Sequence, residues 1–113
     1  MNIVNTSNVD HYKWGKDCDG WHLLRSQELS VIEERVPPGE KEERHCHTES
    51  QQFFYILSGT AQLEVDGTVF DICAGNGMHV PAGIPHQLMN NGDQDIRFLA
   101  ISQPLSHGDR IKA

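Results

Sequence analysis

Between Ala61 and Val65 apolar and polar side chains alternate strictly, with Ala61, Leu63 and Val65 on one side and Gln62 and Glu64 on the other. A period of two marks a strand with one face in a core. Asp66-Gly67 follows, a pair suited to the positive φ angles of a tight hairpin turn, and Thr68 to Ile72 reads as the returning strand. The same short alternating runs predict strands over Trp21 to Leu24, Leu29 to Val36, Gln52 to Leu57, Met78 to Val80, His86 to Met89 and Ile96 to Ser102. Between them lie strong turn signals: Pro37-Pro38-Gly39, Ser58-Gly59, Gly75-Asn76-Gly77, Pro81-Ala82-Gly83 and Asn90-Asn91-Gly92-Asp93. No stretch of useful length carries a helical period. The pattern is that of an all-β sandwich or barrel.

Outside this region the pattern weakens. Residues 1–20 are irregular, yet Tyr12, Trp14 and Trp21 are too apolar to stand in water without cause. The expectation is an N-terminal arm that covers a barrel end or a partner subunit, a barrel over residues 21–105, and a polar, loosely held tail over residues 106–113. A chain of 113 residues is long enough for one domain with one core. A second domain is not expected, which argues against a transcription-factor role.

Charge narrows the partners. The net charge of −7 repels phosphate backbones and anionic membrane surfaces, so neither nucleic acid nor membrane is expected as a partner. The longest apolar run, Phe53 to Leu57, is far too short to span a bilayer, and the polar N-terminal residues lack a secretory apolar region, so the expected location is cytoplasmic. Three cysteines, Cys18, Cys46 and Cys73, form no Cys-x-x-Cys pair and read as reduced thiols, with Cys46 and Cys73 as small core residues.

The candidate chemistry lies in the histidines. His45-Cys46-His47 places two imidazoles on one face of a strand, Gln52 follows after a short turn, and His86 opens a later strand. A barrel can bring these together around one divalent transition metal ion. Three imidazoles and one oxygen donor suit Zn, Cu, Fe, Ni, Co or Mn, and leave coordination positions open for water or substrate.

These residues carry a family resemblance. The pattern Gly-x5-His-x-His-x4-Glu-x6-Gly matches Gly39, His45, His47 and Gly59, with Gln52 in place of Glu. The pattern Gly-x5-Pro-x-Gly-x2-His-x3-Asn matches Gly75, Pro81, Gly83, His86 and Asn90 throughout. Residues 39–90 thus resemble both motifs of the cupin superfamily. The resemblance implies a single-domain jelly-roll barrel, a metal on His45, His47 and His86 with Gln52 as fourth ligand or as its hydrogen-bonding neighbour, and pairing as a homodimer; the apolar Tyr12, Trp14 and Trp21 of the N-terminal arm give an independent reason to expect a second subunit there. Light scattering would test the dimer.

Neutral Gln52 leaves a divalent ion near its full charge, which favours a small oxygen-rich, anionic ligand, and Gln cannot act as a general base. The first reaction expected is that of a dioxygenase. One alternative is a non-redox isomerase or lyase on a sugar acid. The ligand set resembles small cupins that linearise unsaturated uronates, but those also use an Asp, an aromatic and an Arg where this chain offers Ala100, Ser102 and Ser106. The other alternative is a barrel that binds a small ligand or metal without turnover.

By strand parity Phe54, Ile56 and Leu88 line the cavity, while Phe53 and Tyr55 face outward. Glu33 and Arg35 share one face and Glu34 the other, so either a charged side chain turns inward or the set is exposed or charge-paired, the second being the favoured reading. His79 points away from the cavity. His11, His22 and His107 have no spacing to the motifs and are expected at the surface or as satisfied core histidines. Metal release is expected below about pH 5 to 6, where free imidazole protonates.

Overall fold

A computed structural model describes residues 1–113. Its strands are β1 (His11–Trp14), β2 (Cys18–Arg25), β3 (Ser30–Val36), β4 (His45–His47), β5 (Gln51–Ser58), β6 (Thr60–Val65), β7 (Thr68–Cys73), β8 (Gly77–Val80), β9 (His86–Met89), β10 (Ile96–Gln103) and β11 (Arg110–Lys112). They form two antiparallel sheets, one of six strands in the order β1-β2-β3-β10-β5-β8 and one of five in the order β11-β4-β9-β6-β7. This is the expected all-β jelly roll. No helix is long and apolar enough to cross a membrane.

Alternation decides what lies between the sheets. On β10 the inward row is Ile96, Phe98, Ala100 and Ser102, and on the adjacent β5 it is Ile56, Phe54 and Gln52, with Ala100 opposite Phe54 and Ser102 opposite Gln52. Both rows run from apolar to polar in the same direction. One end of the barrel is therefore an oily core, completed by Val36, Ala61, Leu63, Ile72, Val80 and Leu88, and the other can hold chemistry. Ile56 and Leu88, expected at the cavity, lie in this core instead: they have the right parity but sit too far toward the apolar end.

Several motif residues earn their places structurally. Asp66 and Gly67 take φ of 50° and 94°, the geometry the hairpin requires. Gly59 has φ of 77°, and a Cβ there would meet the Asp95 carbonyl oxygen at 2.7 Å, so no larger residue fits. Asn90 is buried and its amide donates to the carbonyls of Val36 and Gln94, at 2.8 and 2.7 Å, tying β3 to the turn before β10.

Both flanks carry strands where the pattern predicted none. From His11 onward the supposed arm is sheet: β1 pairs with β2, His11 opposite Trp21 and Trp14 opposite Cys18. Asp19 links this edge to the barrel through His11, Lys13 and Arg35 at 2.7, 2.9 and 2.6 Å. Burial opposes the Asp19 charge, but these three partners outweigh it and hold the carboxyl well below its usual range. Trp14 packs on the core and Tyr12 faces the cavity, both half-buried.

The tail is not loose. β11 adds to the edge of the second sheet with Arg110 opposite His47 and Lys112 opposite His45. Main-chain pairing of a polar edge strand needs no apolar pattern, which is why composition hid it. All three thiols are free, as expected, but only Cys18 is buried; Cys46 is half-buried and Cys73, on the edge strand β7, is exposed.

Candidate metal centre

β4 lies beside β9 with His45 opposite His86, so the two motif strands converge through one cross-strand pair. The period-2 rule then puts His47 on the same face as His45, and one ligand-capable nitrogen of each of the three imidazoles lies within 4.8 Å of the others. All three side chains are buried, His86 to 1% exposure.

Their tautomers follow from the hydrogen bonds behind them. His45 Nδ1 meets the Glu43 carbonyl at 2.7 Å, His47 Nδ1 the Asp109 carbonyl at 3.1 Å and His86 Nδ1 the Ile84 carbonyl at 3.0 Å. A carbonyl only accepts, so each Nδ1 carries the proton and each Nε2 presents a lone pair. His47 Nε2 is buried with no partner in the chain. Burial also holds all three imidazoles in their neutral form, pushing His45 down to about 3 and lowering His47 and His86. Neutral imidazoles with converging lone pairs are what a divalent ion requires.

Gln52 completes the picture. Its Nε2 donates to Ser102 Oγ at 3.0 Å, which turns Oε1 toward His86 Nε2, 3.1 Å away. Ser102 in turn reaches Ser106 Oγ at 3.4 Å. His86 therefore faces two carbonyl oxygens, Ile84 O at Nδ1 and Gln52 Oε1 at Nε2, with the single proton of a neutral ring; with that proton on Nδ1, as in the other two histidines, Gln52 Oε1 and Nε2 are two acceptors that a cation satisfies together. The residues present fit a metal ion.

Asp109 supports this from the C-terminal segment. Its carboxylate accepts the backbone N–H groups of Thr48, Glu49 and Ser50 at 3.0, 2.9 and 2.9 Å, while its own carbonyl holds His47. The backbone hydrogen bonds keep that carboxyl below its ordinary range. Nothing in the sequence pattern signals this role.

The histidines and Gln52 open onto a cavity of about 350 Å³ that is also lined by Tyr12, Glu34, Glu42, His107 and Arg110, the last beside His47 on β11. Phe54 lines it and meets the His86 ring edge-on at 5.8 Å between centroids. His107 and His22, expected to be incidental, form an aromatic group with Tyr12 at the rim, the two histidine rings 5.4 Å apart. His22 Nδ1 is buried without a partner. Glu33 and Arg35 behave as expected, paired with Arg97 at 2.8 Å and Asp19 at 2.6 Å, and His79 is exposed against Gln51. Glu34 is the charged side chain of this set that turns inward: its parity with the buried Ile32 and Val36 takes it into the cavity, a signal present in the sequence.

A family model for the cupin domain matches residues 32–102, more than half of the chain. Fold, motifs and site agree, and the chain belongs to the cupin family. It is similar to an oxalate-binding protein of Thermotoga maritima, 31% identical over 104 residues that cover 87% of this chain and 86% of that protein. An uncharacterized protein of Methanocaldococcus jannaschii is 30% identical over 89 residues, 78% of this chain and 71% of that one. The chain spans only 45% and 51% of two relatives from Streptomyces cyaneus and Streptomyces halstedii. Among solved structures, a predicted oxalate decarboxylase from Thermotoga maritima superposes with a TM-score of 0.84 at 23% identity, covering 92% of this chain and 100% of that one, a likeness of fold.

Proposed function

We propose that this cupin holds one divalent transition metal ion on His45, His47, His86 and Gln52 and uses it to bind and transform a small oxygen-rich anion, with a dioxygenase reaction as the first to test. The observation that carries the reading is the pair of facing acceptors, Gln52 Oε1 and His86 Nε2, whose orientations are each fixed from behind. A bound ion would supply Lewis acidity or oxygen activation. The protein's own contribution is orientation: every donor is tethered to main chain or to Ser102, so none needs to reorganise when an ion or ligand arrives.

Four neutral donors leave the ion's charge uncompensated, and the ligand that neutralises it best is an anionic oxygen group. Similarity to an oxalate-binding protein supports the same class. The isomerase or lyase reading is weaker, because Ser102 and Ser106 bond to Gln52 and to each other rather than offering acid–base groups to the cavity. Oxygen uptake by iron-loaded protein supplied with small enediols or hydroxy acids separates a dioxygenase from a passive carrier.

The ligand assignment is tested by Gln52→Glu with two calorimetric titrations, metal into apoprotein and acetate into metal-loaded protein. Opposite unit charges 4 Å apart attract by about 4 kcal/mol at an effective dielectric of about 20. Unopposed, that is about three decades in affinity; with the desolvation of the new carboxylate set against it, metal affinity should rise by at least about tenfold while acetate affinity falls by a similar factor. Acetate affinity that does not change would remove the case for an anionic ligand.

A further inference from the structure

Gln52 has no proton to give or take, and each imidazole has its proton committed to a carbonyl. The acid–base group of the site must stand elsewhere. Glu34 and Glu42 both line the cavity that exposes His45, His47 and Gln52. They come from separate elements, Glu34 from the inward row of β3 and Glu42 from the segment before β4. Glu42 is held in place, its Oε1 accepting from the Leu88 N–H at 2.9 Å. Glu34 is flanked by Glu33 and Arg35, both ion-paired on the outer face, yet no hydrogen bond acts on its own carboxyl. A carboxyl turned into a polar cavity with no partner in its own chain is placed for a ligand.

The groups that face Glu34 are Glu42, Arg110 of β11, Tyr12 of β1, His107 at the rim and the histidines of the metal centre. Two carboxylates in one cavity cannot both ionise cheaply, and such a pair retains a proton. Burial and then the Glu42 charge push Glu34 up to about 8, and burial pushes Glu42 up to about 7.

We infer that Glu34 and Glu42 act as a carboxyl pair that grips the metal-held ligand through one shared proton, with Glu34 the member that touches it. This rests on the reading that an anionic oxygen compound occupies the ion. The O–H of the pair lies on Glu34 and donates to an oxygen of the ligand; in a reaction the same proton passes to that oxygen, leaving Glu34 as carboxylate. The ligand class that satisfies both ends is a small acid with a second oxygen function, such as a hydroxy or keto acid.

Glycolate serves as probe and zinc as a redox-inert ion. Zinc-loaded protein is titrated with glycolate at pH 8.5 in two buffers of different ionisation enthalpy, which yields the protons taken up per ligand. The unliganded pair is substantially ionised at that pH, so the native protein should take up about one proton more than Glu34→Gln or Glu42→Gln. Glu33→Gln, on the outer face, should match the native value. Either cavity variant showing the loss, with its far-UV spectrum native-like, supports the pair. Equal uptake in the native protein and both cavity variants overturns it while leaving the metal–anion reading standing. Glycolate that fails to bind zinc-loaded native protein sinks that reading, and this inference with it.

Discussion

The two sides of the cavity are built on opposite plans. On the histidine side every polar side chain is anchored from behind, His45 to Glu43, His47 to Asp109, His86 to Ile84 and Gln52 to Ser102. On the side carrying Glu34, His107 and Tyr12, the groups come from the interior strand β3, the loop before β11 and the edge strand β1, and Glu34 is unanchored. The first side is preorganised for one ion; the second keeps its bonding capacity for whatever is brought to it. Cupins with the same metal end can therefore differ in reaction through the other end alone.

The largest effect should come from the anchored side. His86→Ala removes a donor and leaves Gln52 Oε1 without its opposite number, so metal affinity should fall by more than the roughly 10- to 100-fold that loss of an outer partner costs. The far-UV spectrum should stay strand-like, because most of the oily core, Val36, Ile56, Leu63, Leu88 and Ile96 among it, lies away from the cavity that the site opens onto. Metal titration with circular dichroism checks both. Global unfolding of the variant would mean that the ion holds the fold, and the division between a rigid site and a self-sufficient core would collapse.

Asp109→Ala sharpens the comparison at the next level. It leaves the Asp109 carbonyl in place behind His47 but frees the backbone N–H groups of Thr48, Glu49 and Ser50. The turn between β4 and β5 then loses its anchor, and metal affinity should drop by about 10- to 100-fold, less than for His86→Ala. A drop as large as that of His86→Ala would make the C-terminal segment a full part of the metal centre. No drop would reduce it to a cover.

What could be read from the sequence follows the same division. The histidine side was legible because its residues sit at fixed spacings in short motifs, each spacing set by strand parity and a tight turn. The oily core was legible from alternation, though parity alone could not say how deep Ile56 and Leu88 lie, since depth depends on where along the barrel the inward row turns polar. Glu34 was half-legible, its face given by Ile32 and Val36 but its isolation dependent on where Arg35 and Arg97 point. Asp109, Arg110 and β11 were illegible, because main-chain pairing and a carboxylate gathering three N–H groups leave no periodic trace. The aromatic residues Tyr12 and Trp14 were noticed for their apolar bulk, and the structure packs Trp14 on the barrel core and turns Tyr12 to the cavity, although no periodic pattern marked the strand that carries them.

The smallest expected effect concerns the stability of the metal-free protein against pH, where the two sides pull in opposite directions. Glu34 and Glu42 are raised from 4.5 to about 8 and about 7, so the folded chain binds more protons than the unfolded one above pH 4.5, and stability falls as pH rises through that window. The buried imidazoles are lowered from 6.5, His45 to about 3, so the unfolded chain binds more protons below pH 6.5 and stability falls as pH drops. Above pH 6.5 only the carboxyl pair contributes a slope; below 4.5 only the imidazoles of these two sets do. The maximum should lie between those values, and metal release should begin lower than the pH 5 to 6 expected of free imidazole. From pH 6.5 to 8.5 the loss should be on the order of 1 to 2 kcal/mol, discounted because both carboxyls reach the open cavity. Urea midpoints of apoprotein at pH 5.5, 7.0 and 8.5 measure it, and Glu34→Gln should flatten the alkaline limb while leaving the acid limb intact. If native apoprotein is as stable at pH 8.5 as at pH 6.5, the carboxyls ionise freely, and the Glu34 side of the cavity is an ordinary solvated surface rather than one poised to hold a proton.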